Sequence, residues 1–163
     1  MGSVLQEMLD RVDRYIAKHQ LIISDTLGNG NDGNVWLTTK QTAIKGFLRV
    51  ETYERERDCY RRLFDTNTKR AAGFVVPELF NYDNTLLVIE MGVVMPPCVL
   101  DFGKAYVDRP PDFSPEVLAE TEAAERELFE PDQWKQVQRV RGALKLIGIH
   151  YFDARPTNIM FPK

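Results

Sequence analysis

Thr26 to Lys45 reads TLGNGNDGNVWLTTKQTAIK, and the fold turns on how this stretch is read. Gly28, Gly30 and Gly33 stand in G-x-G-x-x-G register, followed by Val35 and then by Ala43-Ile44-Lys45. Glycines at that spacing let a backbone turn tightly and present N–H groups to a phosphate with no Cβ in the way. A lysine on a following strand can reach the same phosphate as a point charge. Two readings stay open on these residues alone: a phosphate loop, or an ordinary β-hairpin turn, which NGNDG equally suits. The flanks narrow the choice of glycine motif. Leu21-Ile22-Ile23 forms a short strand before it, and Val35 to Thr39 has strand propensity after it. A dinucleotide-binding fold needs its glycines between a strand and a helix, so that reading is set aside.

Outward from the glycines, Thr42 to Leu48 reads as a further strand that carries Lys45. A solvated lysine is the ordinary outcome, but this one lies on an otherwise apolar strand. Val50 to Phe64 follows as a charged helix with Tyr53, Cys59, Tyr60 and Leu63 facing inward. Glu56 shares that face, so its carboxylate can pair with Lys45; Glu54 is the rival. Before the glycines, Ser3 to His19 has apolar residues at helical spacing, from Val4 and Leu5 through Met8 and Val12 to Ile16, with Ser3 as the N-cap.

Thr66 to Phe74 is polar and is expected to be a loop. Val75–Tyr82 and Thr85–Met91 read as two strands joined at Asp83-Asn84, the second fully apolar from Leu86 to Ile89 and ending in Glu90-Met91-Gly92. Prolines make Val93 to Pro111 extended or irregular. Pro115–Phe129 and Pro131–Ile147 are helical, each with a proline near its start and the second closed by Gly148. A short polar turn then brings Asp153 and Asn158 close together before an apolar, strand-like tail.

Composition sets the outer bounds. The 163 residues are 44% hydrophobic and 28% charged, enough to bury a core and unlike a disordered chain. With 21 basic and 24 acidic residues the net charge is -3, which gives no field that attracts nucleic acid. Cys59 and Cys98 form neither a metal-ligand pattern nor a disulfide framework. No apolar run is long enough for a bilayer span and no signal-like start is present, so a cytoplasmic chain without membrane or nucleic-acid partners is expected.

Taken in chain order, these pieces resemble the protein-kinase-like family, in a small or truncated form of bacterial type. Gly28-x-Gly30-x-x-Gly33-x-Val35 resembles its glycine-rich loop, Ala43-Ile44-Lys45 its phosphate-pairing lysine strand, and Glu56 the partner on the following helix. Leu87 to Gly92, with Glu90 and Gly92, resembles the hinge whose backbone meets adenine. Asp153-Ala-Arg-Pro-Thr-Asn158 is similar to the D-x-x-x-x-N catalytic loop, which makes Asp153 the base and Asn158 a magnesium ligand. The resemblance implies an α+β fold: a five-stranded antiparallel N-lobe sheet with its helix C over 21–92, an extra N-terminal helix over 1–20, and a reduced helical C-lobe over 93–163. It implies binding of ATP and Mg2+, with phosphoryl transfer to a protein or small-molecule hydroxyl. The alternative is a pseudokinase-like module that regulates a partner.

Two departures bear on that expectation. Tyr151-Phe152-Asp153 replaces the family's His-Arg-Asp, which removes the arginine that docks an activating phosphate. The family's metal-binding Asp-Phe-Gly follows the catalytic loop, whereas Asp101-Phe102-Gly103 precedes it here. Three readings of this triplet stand: a coincidence in a segment past the hinge, a metal ligand at Asp101 reached through a different connection, or a chain shortened before its true metal motif.

Overall fold

The computed structural model describes residues 2–163 of the chain. Its elements, in order, are α1 (Gly2–His19), β1 (Ile23–Asn29), β2 (Gly33–Thr38), β3 (Thr42–Phe47), α2 (Val50–Asp65), β4 (Arg70–Ala71), β5 (Phe74–Val75), β6 (Leu79–Asp83), β7 (Val88–Gly92), β8 (Cys98–Val99), β9 (Ala105–Val107), α3 (Pro115–Arg126), α4 (Pro131–Leu146), β10 (Ile149–Tyr151) and β11 (Ile159–Met160). The class is α+β. The main sheet has five strands in the order β1-β2-β3-β7-β6 with every neighbouring pair antiparallel, and five antiparallel strands are what the resemblance implied.

Alternation along β3 and β7 gives the sheet two different faces. Ile44 and Val88 point to α1, where they meet Met8, Val12 and Tyr15. Ala43, Phe47, Ile89 and Met91 point the other way, into the larger core that also contains Tyr53, Cys59, Tyr60 and Leu63 of α2. Gly46 lets α1 lie close to β3, since a Cβ there would run into the Val12 and Met8 side chains. Arg11 fixes the helix further by donating to the carbonyls of Phe47 (2.6 Å) and Leu86 (3.1 Å).

The second half of the chain packs under the same core. α4 contributes Val137, Val140 and Leu144, all fully buried. Glu130 and Gln133 form a capping box at its start, and Gly148, at φ +85°, carries the chain out of its end. A four-stranded sheet runs β11-β8-β5-β4, and β9 pairs with β10.

Several local expectations are corrected. The helix begins at Gly2, so Ser3 lies inside it, and Val4 and Leu5 are exposed while Met8, Val12 and Tyr15 form the buried stripe. Residues 66–74 are not all loop, because β4 turns into β5 through Ala72 and Gly73, both at positive φ. Pro77 falls in a gap between β5 and β6, which splits the expected Val75–Tyr82 strand. Leu86 and Leu87 are buried in the turn ahead of β7, not within the strand. The Val93–Pro111 segment contributes β8 and β9. Among the described residues no helix is long and apolar enough to cross a membrane.

Candidate functional site

The glycine stretch is the β1–β2 hairpin, so the hairpin reading holds for its backbone. Its tip, closed by the Gly30 N–H donating to the Gly33 carbonyl at 2.9 Å, stands over a cleft of about 520 Å3. The three glycines differ in what the protein itself requires of them. A Cβ at Gly33 would collide with the Gly46 carbonyl of β3, so that glycine is needed for strand packing. A Cβ at Gly28 would meet nothing within 4 Å, and one at Gly30 only the Gly33 carbonyl at 3.7 Å. Their bare backbone faces the cleft with open space in front of it.

Lys45 enters the cleft floor from β3. Its ammonium is 2.8 Å from Glu56 of α2 and 3.8 Å from Asp101, with Lys45 7% and Glu56 1% exposed. Glu54, the rival on the same helix, is exposed. Burial alone would lower the Lys45 pKa, but the carboxylates of Glu56, Asp101 and Asp32 more than offset it and hold the ammonium charged. Burial pushes Glu56 up, and Lys45 and the Phe102 N–H only partly counter that. The second carboxylate oxygen of Glu56 accepts the Phe102 N–H at 3.3 Å, so one side chain ties Lys45 to the Asp101 segment.

Asp101 sits at positive φ (59°) just after β8, its carboxylate accepting the Gly103 N–H at 3.1 Å. Phe102 is fully buried between Tyr60 of α2 (5.3 Å between ring centroids) and Tyr151 of β10 (5.4 Å), both edge to face. Tyr151 closes this column by donating to the Leu100 carbonyl at 2.7 Å. β11, which follows Asn158, pairs with β8, which precedes Asp101. Asp101 and Asn158 therefore line the same cleft although they are far apart in the chain.

The Asp153–Asn158 turn is held from two sides. The buried Asn158 amide donates to the Asp153 carbonyl at 2.9 Å, and the Asp153 N–H donates to Glu125 of α3 at 3.1 Å. Burial raises the Glu125 pKa, against the pull of Arg141 and of the Asp153 and Ala154 N–H groups. The Asp153 carboxylate accepts from Arg155 at 2.7 Å and lies 3.8 Å from Lys104. Asp153 lines a neighbouring cavity and not the glycine cleft, although its carboxylate lies 3.5 Å from the Asn158 amide that does line the cleft.

Of the residues singled out from the sequence, Gly28, Gly30, Gly33, Val35, Lys45, Glu56, Gly92, Asp101 and Asn158 all line the glycine cleft. Glu90 does not. Its carboxylate accepts the Tyr15 hydroxyl at 2.8 Å on the opposite face of the sheet, as β-strand alternation from Met91 requires. Asp32, Glu125 and the Tyr60–Phe102–Tyr151 column were not foreseen. Only Asp32 gave a signal, as a lone acid at the tip of the glycine turn; its carboxylate reaches Gly103, where a Cβ would come within 3.1 Å of it. Among the described residues, no group of three or more His, Cys, Asp or Glu side chains is arranged to hold a metal ion. Asp101 and Asn158 present two hard oxygen donors, which suit magnesium shared with a phosphate ligand and surrounding water, not an all-protein cage. Both cysteines are free and buried, and burial pushes their thiols up, so neither is an activated nucleophile.

The sequence matches no protein-family model and no curated protein.

Proposed function

We propose that the chain is an ATP-dependent phosphotransferase of the protein-kinase-like fold, passing the γ-phosphoryl group to a protein or small-molecule hydroxyl. The observation that carries this reading is the buried Lys45–Glu56 pair, 2.8 Å apart, beneath a glycine hairpin and 3.8 Å from Asp101. Phosphoryl transfer asks mainly for positioning and charge neutralisation. The hairpin offers backbone N–H groups, Lys45 a fixed positive charge, and Gly92 a backbone free of side chain at the cleft's far edge. The space in front of Gly28 and Gly30 also supports it, since the fold does not require glycine there but a close backbone–phosphate approach does.

Asp101 and Asn158 would hold magnesium, which would neutralise charge on the phosphates. Among the readings of Asp101-Phe102-Gly103, this supports a metal ligand reached through a different connection. Asp153 would accept the proton of the acceptor hydroxyl, oriented by Glu125 and Asn158 through its main chain.

One observation favours a second reading, a nucleotide-binding but catalytically inactive regulatory module. The Asp153 carboxylate is already engaged by Arg155 at 2.7 Å. Calorimetric titration with ATP, with and without magnesium, combined with a turnover assay, separates the two. The phosphotransferase reading expects magnesium-dependent binding, turnover lost in Asp153→Asn with binding retained, and both lost in Lys45→Met. Nucleotide binding without turnover in the unaltered chain would leave the regulatory reading, and no binding would remove both.

A further inference from the structure

The cavity lined by Asp153 has a volume of about 700 Å3 and borders the glycine cleft at the Asp153–Asn158 turn, where the Asn158 amide that lines the cleft lies 3.5 Å from the Asp153 carboxylate. Its charge differs from that of the protein around it. The whole chain carries a net charge of -3. This cavity is lined by three cations, Arg55, Lys104 and Arg155, against two carboxylates, Asp153 and Glu125.

Both carboxylates are already occupied. Glu125 is turned to Arg141 (3.5 Å) and to the Asp153 N–H (3.1 Å), and Asp153 accepts from Arg155 at 2.7 Å. Arg55 has no carboxylate partner. One of its terminal nitrogens donates to the Tyr106 hydroxyl at 3.1 Å, and its Nε is the one buried side-chain polar atom without a partner among the described residues. Lys104 has only the long contact to Asp153, at 3.8 Å, and is largely exposed. A half-buried guanidinium without a carboxylate partner and an ammonium with only one long contact, lining the same cavity, are the chemistry that binds carboxylate or phosphate. Phe113 and Leu128, each 51% exposed, supply apolar wall to the same cavity.

We infer that this cavity binds the phosphoryl acceptor, and that the acceptor is a small hydroxyl compound carrying a carboxylate or phosphate group on an apolar or ring-shaped body. The inference rests on the phosphotransferase reading above and adds the substrate class to it. A volume of this size suits a small molecule. Arg55 and Lys104 hold the anionic group, Phe113 and Leu128 the body, and the hydroxyl meets Asp153. In the transfer, the acceptor oxygen forms a bond to the γ-phosphorus of ATP, and the bond from that phosphorus to the β,γ-bridging oxygen breaks. ADP leaves with the electron pair, and the hydroxyl proton passes to the Asp153 carboxylate.

The test uses the whole chain and three probes: mandelate, which joins a ring, a hydroxyl and a carboxylate; phenyl phosphate, its phosphate counterpart; and benzyl alcohol, the neutral control. Binding is read from amide NMR shifts, and ATP binding is titrated separately. At least one anionic probe is expected to shift the amides of Lys104 and Leu128 and to bind at least tenfold more tightly than benzyl alcohol. Which anion is preferred tells carboxylate from phosphate acceptors. Arg55→Gln and the exposed Lys104→Gln are each expected to weaken the anion at least fivefold, with the amide spectrum otherwise unchanged. Equal binding of neutral and anionic probes, or anion binding indifferent to both substitutions, overturns the inference. If ATP binds and no anionic probe does, the inference fails while the phosphotransferase reading survives. If the anions bind but ATP does not, the acceptor role falls together with that reading.

Discussion

Ile159 pairs with Val99 across an antiparallel two-strand contact, so the strand leaving the Asp153–Asn158 turn lies against the strand entering Asp101. The order of these two segments along the chain is thereby separated from their order in space. Asp101 reaches the cleft because of this pairing, and its neighbour Phe102 is anchored by the Glu56 carboxylate. If Asp101 supplies the one charged oxygen for magnesium in the cleft, Asp101→Asn should abolish the gain in ATP affinity that magnesium gives. Metal-free affinity should stay the same or rise. Calorimetry with and without magnesium checks this, and an undiminished magnesium effect would remove Asp101 from the metal site.

Lys45→Met strands Glu56 in the core without its counter-charge. Breaking one side of a buried pair costs about 3–5 kcal/mol when the remaining group stays ionised. Glu56 can avoid that cost by taking up a proton, because burial already pushes its pKa above the ordinary 4.5. The folded variant then binds a proton that the unfolded chain releases, so its stability falls as pH rises above the unfolded value. Urea denaturation should find a small loss at about pH 5 and a loss of about 3 kcal/mol at about pH 8. Adding Glu56→Gln to Lys45→Met should remove most of that pH dependence.

The three glycines of the hairpin should separate in their responses to alanine. Gly28→Ala and Gly30→Ala add a methyl where the protein has room, and stability should stay within about 0.5 kcal/mol of the parent. Gly33→Ala drives a Cβ into the Gly46 carbonyl and should destabilise by at least about 1–3 kcal/mol. Under the proposed function the first two should also weaken ATP at least threefold. Thermal melts and ATP titration of the same samples check both halves, and normal ATP affinity in Gly28→Ala with Gly30→Ala would count against a phosphate at the hairpin.

Asp83 sets part of the acid limit of the fold. Burial pushes its carboxyl up, but the Leu86 N–H, the Lys18 ammonium at 3.0 Å and the Thr85 N–H together pull it below its ordinary 3.8. A lowered folded value means that the unfolded chain binds the proton more readily. The stabilisation is therefore present above the unfolded value and lost as pH falls through the lower folded one. Asp83→Asn should flatten the stability profile below about pH 4 and leave a constant loss near neutrality. Denaturation midpoints across the acid range check this; an unchanged acid slope would rule it out.

Legibility in the sequence followed the strength of the local signal. α2 and α4 were readable to within a residue or two, because apolar residues recur on one face over several turns. The main sheet was legible in part: β2, β3 and most of β7 fall where strand propensity puts them. But β1 runs Ile23–Asn29 and not Leu21–Ile23, β6 begins only at Leu79 after Pro77, and Leu86 and Leu87 fall outside β7. Those two look like strand, but Asp83 accepts the N–H groups of both Thr85 and Leu86, and that local turn overrides apolar propensity. β4 and β5 are two residues each, too short for any period to show. At the site, Lys45 and Glu56 could be paired from strand and helix phase. For Glu90 the hinge resemblance concerns only the backbone, and strand alternation sends its side chain to Tyr15 of α1. Glu125 was not legible at all: its role is set by a turn 28 residues away, and helix α3 alone gives it no distinction from its many acidic neighbours.

The packing of α1 has a consequence for how the chain comes off the ribosome. Its buried stripe, Met8, Val12 and Tyr15, has partners on β3 and β7, and Tyr15 waits for Glu90, 75 residues later. At usual rates of synthesis that interval is roughly 4–15 s. An 18-residue helix is only marginally stable alone in water. Until β7 arrives its apolar stripe has at most the β3 side of its partners, and its hydrogen-bonded turns come and go. α1 is thus made before every strand of the main sheet yet is the last layer of it to be sealed, and β7 is the strand whose arrival seals it.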